Sequence, residues 1–134
     1  MAKKQHEDVV RKLYEARKRR DFARVAELLA EDVVWHEPGD FDYSGDYRGR
    51  QATASYLAKL AEVTKGTFLL EPQEMISTEE HVATVVRWSA GRGGSRAAGK
   101  ELAVYRFADG KVGEVWFFTE HDDDEVAEVF SFGR

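Results

Sequence analysis

Cysteine is absent from the 134-residue chain, so neither disulfide cross-links nor thiolate chemistry is available to it. The opening residues, Met-Ala-Lys-Lys-Gln-His, lack the apolar segment of a signal peptide. Hydrophobic residues make up 43% of the chain and charged residues 34%, which is typical of soluble globular proteins rather than membrane or disordered ones. We therefore expect a cytoplasmic protein with no membrane partner.

The chain also has no excess of positive charge: its formal net charge is -5. Counterion release, which drives binding to nucleic acids, then has little to act on, and we expect no nucleic-acid partner. The one basic run, RKRR at residues 17–20, falls where the first predicted helix should end. Cations complement the helix dipole there, so we interpret this run as a solvated helix terminus.

The length of the chain suits one core with room for a ligand cavity, so residues 1–134 are expected to form a single domain. Apolar residues at helical spacing predict three helices, over residues 5–19, 22–30 and about 50–63. Asp21 is expected to cap the second helix. A short strand at residues 33–35 should end at Pro38. The polar segment 40–49 predicts a loop that could rim a pocket.

Beyond the third helix the period of the pattern changes to that of strands, which are predicted at residues 67–76, 81–90, 98–107 and 112–120. Asp109-Gly110 is a strong signal for a tight hairpin. The acidic run 122–124 suits the start of a short closing helix. Helices first and antiparallel strands afterwards indicate an α+β fold. Its strongly curved, mostly antiparallel sheet should leave a cavity under the helices.

Glu37, which directly precedes Pro38 at the end of the first predicted strand, is the leading candidate catalytic residue. A carboxylate at the mouth of an apolar pocket loses hydration, which raises its pKa and makes it a better base near neutral pH. His36 would face the opposite side of a regular strand, but Pro38 can distort that alternation. Either residue could therefore face the pocket, and an exposed rim glutamate is the alternative for Glu37.

Glu114 is a third catalytic candidate, because it alternates with aromatic residues onto one face of the last predicted strand. If that face is concave, Glu114 supplies a second pocket carboxylate, and the two pKa values would be pushed apart. If it is the outer face, Glu114 pairs with an arginine such as Arg106 or Arg87, or meets a dimer partner. The predicted substrate-binding residues are aromatic: Tyr14, Trp35, Tyr56, Trp88, Tyr105, Trp116 and Phe118.

No metal or cofactor is expected. His121 is followed by three aspartates, but adjacent positions do not easily converge on one ion, and helix capping explains them. Residues 94–100 match the first part of a phosphate-binding loop. Glu101 occupies the position where that loop needs Ser or Thr, and a strand follows instead of a helix. We therefore interpret the partial match as a chance one.

Three segments resemble the SnoaL-like branch of the nuclear transport factor 2 superfamily: LLAEDVVWHEPG at 28–39, GDYRGR at 45–50 and DGKVGEVW at 109–116. The resemblance covers nearly the whole chain. It implies a cone of three N-terminal helices on a curved sheet with a short C-terminal helix. It also implies homodimers that pair through the outer face of the sheet. The fold hosts isomerases, dehydratases, cyclases, epoxide hydrolases and non-catalytic binding modules, so it does not fix the activity.

Ketosteroid isomerases of this superfamily place a carboxylate base immediately before a proline, and Glu37-Pro38 is similar. Their two oxyanion donors correspond here to Leu13 and Ala103, which cannot donate a hydrogen bond from their side chains. Tyr14 points about 100° away from Leu13 around the helix. The familiar steroid-isomerising arrangement is therefore not expected. From the pocket and its candidate base we expect a cofactor-free isomerase or lyase that moves a proton on an apolar carbonyl compound with Glu37 or His36. A non-catalytic ligand-binding or dimerisation module is the alternative.

Overall fold

The structure, a computed structural model, describes residues 2–133. The first half of the chain contains three helices, α1 (Ala2–Arg19), α2 (Phe22–Leu28) and α3 (Arg50–Val63), with two strands between α2 and α3. Asp21 caps α2 as predicted, since its carboxylate accepts a hydrogen bond from the backbone N–H of Arg24 at 3.1 Å. A short helix, α4 (Asp123–Phe130), closes the chain, and Asp122 caps it in the same way.

Six strands form one sheet, and five of them correspond to predicted strands. They are β1 (Leu29–Glu37), β2 (Gly45–Arg48), β3 (Leu69–Ser77), β4 (His81–Arg92), β5 (Ser95–Ala108) and β6 (Lys111–His121). Two predictions need correction. The first strand begins at Leu29 instead of residue 33, so α2 ends earlier than expected. The expected loop 40–49 contains β2, which pairs antiparallel with β1.

The strand order is β2-β1-β6-β5-β4-β3. Strands β1 and β6 run parallel, and every other pair of neighbouring strands is antiparallel. The register is irregular between Pro72 and Glu74 and between Arg106 and Phe107, and such bulges bend and twist strands. The β5–β6 turn has positive φ at both Asp109 (51°) and Gly110 (78°), as the predicted tight hairpin requires.

The core lies between the helices and the concave face of the sheet. Alternation turns Trp35 of β1, Tyr105 of β5 and Val115 of β6 inward, and each is almost completely buried. Leu13 of α1 and Leu57 of α3 pack onto them from the helical layer. This arrangement confirms the predicted α+β cone, with three N-terminal helices on a curved, mostly antiparallel sheet and a short C-terminal helix.

Within residues 2–133 no helix is long and apolar enough to cross a membrane.

Candidate active site

A pocket opens between the concave face of the sheet and helices α1, α3 and α4. Its walls are mainly aromatic: Trp35, Tyr43, Tyr56, Phe68, Trp88, Phe117 and Phe130. The cavity has a free volume of about 50 Å³, and one water needs roughly 10–15 Å³ on the same scale. The pocket in this conformation therefore has room for a few waters or a small fragment, and a larger ligand requires side chains to move.

Glu37 lies in this pocket at the end of β1. The residue as a whole is half-buried, and its carboxylate accepts a hydrogen bond of 2.5 Å from the hydroxyl of Tyr56 on α3. Burial raises the pKa of Glu37 to about 7, although the Tyr56 hydrogen bond and the positive charge of Arg17 favour its ionised form. Glu37 therefore changes its protonation state close to neutral pH.

A second carboxylate, Glu101 of β5, shares the pocket. Burial, and to a smaller extent the negative charge of Glu37, raises the pKa of Glu101 to about 7, although the positive charge of Arg17 opposes the rise. Because each carboxylate disfavours the charge of the other, the pair passes through a state with one proton near pH 7. In that state one group can accept a proton and the other can donate one.

Arg17 brings a positive charge to the same pocket from the last turn of α1. Its guanidinium carbon lies 5.7 Å from the ring centroid of Trp35 and 5.8 Å from that of Phe68. The interpretation of the basic run as a solvated terminus needs correction at this position. Lys18 and Arg19 are exposed as expected, whereas Arg17 is half-buried against the aromatic rings.

Four of the predicted site residues line the pocket: Glu37, Trp35, Tyr56 and Trp88. Tyr14 and Tyr105 are buried in the core beside it, where the Tyr105 hydroxyl donates a 2.7 Å hydrogen bond to the Tyr14 hydroxyl. Burial raises the pKa of both phenols above the usual value, so both stay neutral near pH 7. They support the pocket wall but do not line it.

The other two catalytic candidates, His36 and Glu114, lie on the outer face of the sheet. His36 Nδ1 is 2.7 Å from an oxygen of Asp46, and His36 Nε2 is 2.6 Å from Glu114 Oε2. The hydrogen bond to Glu114 is the main cause of a raised pKa at His36. Arg106 pairs with the other oxygen of Glu114 at 3.5 Å, which is the arginine pairing foreseen for an outer position. The structure thus separates these two residues from Glu37.

The outer position of Glu114 follows from strand pairing. Parallel pairing aligns Val34 with Glu114 and Trp35 with Val115, so the side of β6 that carries Glu114 is opposite to the side that carries the buried Trp35. Trp116 and Phe118 share the outer side with Glu114. Trp116 stacks on His36 with ring centroids 5.8 Å apart, and Phe118 is 63% exposed. Neither aromatic reaches the pocket, which corrects their assignment as pocket residues.

Glu101 and Arg17 line the pocket, although neither is predicted there from the sequence. In the sequence pattern, Glu101 stands out only as the residue that breaks a phosphate-loop motif. A signal for it was present, because Glu101 alternates with the apolar residues Ala103, Tyr105 and Phe107 along β5. His121 also lines the pocket. Among residues 2–133 no group of three or more His, Asp or Glu side chains is arranged to hold a metal ion.

Comparisons with known proteins match this architecture. Residues 10–115 match the family model for the SnoaL-like domain. The uncharacterized protein Rv0034 of Mycobacterium tuberculosis is 28% identical over 106 residues, covering 78% of this chain and 81% of the relative. Bal32a, from a soil-derived mobile gene cassette, has a structure with a TM-score of 0.90 and 27% identity, covering 97% of this chain and 99% of its own.

A more distant solved structure, TerC co-crystallized with polyporic acid, has a TM-score of 0.79 and 20% identity. The match covers 94% of this chain and 98% of TerC, and at that identity it shows the fold alone. The cone and its pocket define a protein of the nuclear transport factor 2-like class. Within that class, the chain belongs to the SnoaL-like domain family.

Proposed function

We propose that the protein is a cofactor-free enzyme that transfers a proton on an apolar carbonyl compound, with Glu37 as the base. The observation that carries this proposal is a carboxylate in an aromatic pocket whose pKa is raised to about 7. A general base works best when its pKa is close to the working pH. A glutamate of ordinary pKa would be fully ionised but a much weaker base.

In the proposed reaction, ionised Glu37 removes a proton from the carbon next to the substrate carbonyl. The electrons of the C–H bond form a carbon–carbon double bond, and the carbonyl oxygen becomes an enolate oxygen. Neutral Glu101 donates a hydrogen bond or its proton to that oxygen. If the substrate carries a second carbon–carbon double bond beyond the α-carbon, the intermediate is a dienolate. Return of the proton from Glu37 to the far end of this dienolate moves the double bond, the carbonyl re-forms, and Glu101 recovers any proton that it gave to the oxygen. The outer positions of His36 and Glu114 leave Glu37 as the base in this scheme.

The aromatic walls serve this chemistry by excluding water. Trp35 and Trp88 are buried, and Tyr56 fixes the Glu37 carboxylate through its 2.5 Å hydrogen bond. In a site without bulk water, the interaction between a carboxylate and a developing enolate is stronger than in solution.

Substitution of Glu37 tests the proposal. We expect wild-type protein in deuterated water to exchange the α-hydrogens of small apolar ketones, observed by proton NMR, and Glu37→Gln to lose this exchange while still binding the ketone. Glu79→Gln, in the exposed turn between β3 and β4, is the matched control and should behave as wild type. Unchanged exchange in Glu37→Gln would remove Glu37 from the mechanism.

The alternative is a non-catalytic module that holds a ligand in the same pocket. Two observations favour it: Leu13 and Ala103 supply no oxyanion donors, and the pocket has only about 50 Å³ of free space. Because Trp35 and Trp88 line the pocket, ligand binding should change tryptophan fluorescence. A ketone, phenol or carboxylic acid that alters the fluorescence without being consumed or exchanged supports this alternative.

We also propose that the protein forms a homodimer through the outer face of its sheet. Val85 of β4, Leu102 of β5 and Phe118 of β6 are cross-strand neighbours that are 36%, 37% and 63% exposed. We call these three residues the outer apolar patch. A continuous apolar surface on a sheet is a common site of self-association.

Size-exclusion chromatography with light scattering tests the dimer. Wild-type protein should elute as a dimer, and Phe118→Glu should shift it to a monomer because a charge would be buried at the interface. Gln51→Glu adds the same charge on the exposed start of α3 and should leave the dimer intact. A monomeric wild-type protein at high concentration contradicts this proposal.

A further inference from the structure

The guanidinium of Arg17 lies in the pocket without an anionic partner. Within residues 2–133 no carboxylate oxygen comes within 4.0 Å of an Arg17 side-chain nitrogen, and none of the guanidinium N–H groups forms a hydrogen bond. Two carboxylates, Glu37 and Glu101, line the same pocket. A guanidinium carries five N–H donors, so this cation retains its full capacity to bind an oxygen ligand.

A second unused donor lies beside the first. The indole N–H of Trp35 is buried and has no hydrogen-bond partner among the described residues. It is near enough to favour the ionised form of Glu37, although the two do not form a hydrogen bond. The guanidinium carbon of Arg17 lies 5.7 Å from the centroid of this indole ring. Buried donors without a partner are uncommon in folded proteins, and this one lies beside the half-buried guanidinium of Arg17.

We propose that Arg17 and the indole N–H of Trp35 bind an anionic oxygen of the substrate. The inference rests on the proposed function and narrows its substrate class to a planar, apolar carbonyl compound that carries a carboxylate or an ionised enol. The rings of Trp35 and Phe68, against which Arg17 packs, would contact the apolar body of such a compound. In the proposed reaction Glu37 and Glu101 act on the α-carbon and the carbonyl oxygen, and Arg17 has no part. Binding of a separate anionic oxygen of the substrate would give Arg17 a function.

The proposal predicts that binding depends on pH. The charged and titratable groups that line the pocket are Arg17 of α1, Glu37 of β1, Tyr43 of the loop before β2, Tyr56 of α3, Glu101 of β5 and His121 of β6. Tyr14 and Tyr105 in the core also interact with the Arg17 charge but stay neutral. When both glutamates are protonated, the pocket carries a net positive charge because Arg17 is still cationic. When both are ionised the pocket is anionic, so the affinity for an anion should fall as the pH rises through 7.

Matched pairs of small ligands test the inference by isothermal titration. Benzoate and benzamide have nearly the same shape and differ in charge. An ionised cyclic 1,3-diketone and its neutral enol methyl ether give the same contrast for an enolate. At pH 6 we expect at least one anion to bind about tenfold or more tightly than its neutral partner, the size of a charge-assisted hydrogen bond. That preference should be smaller at pH 8. A preference for benzoate over benzamide indicates a carboxylate site, whereas a preference for the ionised diketone over its methyl ether indicates a site for an ionised enol.

Two variants assign the preference to Arg17. Arg17→Met keeps the apolar stem and should lose the preference while binding the neutral ligand as before, which also shows that the pocket is intact. Arg17→Lys keeps the charge without the forked geometry and should retain a weaker preference. A preference that survives in Arg17→Met overturns the inference. Equal binding of both members of each pair, or no binding of any of the four ligands at millimolar concentration, overturns it as well.

These titrations involve no turnover, so they separate the two proposals. An intact, Arg17-dependent preference together with unchanged exchange in Glu37→Gln would reject the proposed reaction and keep the anion site. The opposite pair of results would keep the reaction and reject the anion site.

Discussion

Replacing Glu37 with glutamine should stabilise the fold at alkaline pH and not at acidic pH. The folded protein keeps the Glu37 proton up to about pH 7, whereas the unfolded chain releases it near pH 4.5, the usual pKa of a glutamate. A proton held more tightly by the folded state stabilises folding when it is present, so the wild-type protein should lose stability as the pH rises from about 4.5 to about 7. Glutamine is neutral throughout and avoids this loss.

The size of the effect follows from the pKa change. One pKa unit corresponds to about 1.4 kcal/mol, so a rise from 4.5 to about 7 gives about 2–3 kcal/mol between pH 5 and pH 8. Removing the Glu37 charge also relieves its repulsion of Glu101, which acts in the same direction. For a domain of this size the corresponding difference in melting temperature is about 10 °C.

Thermal unfolding of both proteins at pH 5 and pH 8, followed by circular dichroism, measures the effect. The melting temperature of Glu37→Gln, relative to that of wild type, should be higher at pH 8 than at pH 5. For the exposed control Glu79→Gln, the difference from wild type should be the same at both pH values. The hydrogen bond from Tyr56 can be kept in the variant, because the amide oxygen accepts it. An equal difference between Glu37→Gln and wild type at both pH values would refute the burial of a titrating carboxylate.

Two further predictions concern the hydrogen bond from Tyr56 to Glu37 and the Asp21 cap of α2. Tyr56→Phe removes the hydrogen bond that favours ionised Glu37, so its pKa should rise and the acidic limb of a pH–activity profile should move to higher pH; an unmoved limb would mean that Glu37 does not govern it. Asp21→Ala removes the cap of α2 and should cost about 1 kcal/mol of unfolding free energy in urea titrations, whereas Asp21→Asn should lose much less; equal losses in both variants would contradict the capping role.

Most of the fold was predictable because its signals are local. The apolar spacing in α1 and α3, the Asp21 cap and the Asp109-Gly110 turn each depend on a few neighbouring residues. Strand β2 was missed because it is a four-residue edge strand in which no residue is fully buried, so no alternation marks it. The apolar pattern at Leu29 and Ala30 is compatible with either the end of a helix or the start of a strand. The strand forms because Leu29 pairs with Val112 of β6.

The site was harder to predict because it depends on which face of each strand is concave. Glu37 could be proposed from the proline that follows it, but its separation from His36 and Glu114 depends on the parallel pairing of β1 with β6. Glu101 lies on β5, where alternation gives two faces and only the packing of the helices selects one. Arg17 belongs to a run of four basic residues, and tertiary packing alone turns it inward.

The ionisation of Glu37 and Glu101 can be observed directly. In protein carrying glutamate labelled with carbon-13 at the side-chain carboxyl, the two signals can be assigned with Glu37→Gln and Glu101→Gln and followed by NMR from pH 4 to pH 9. We predict that both titrate with midpoints near 7, clearly separated from the exposed glutamates. Midpoints near 4.5 for both residues would contradict the account, because the pocket would then hold two ordinary ionised carboxylates and no poised base.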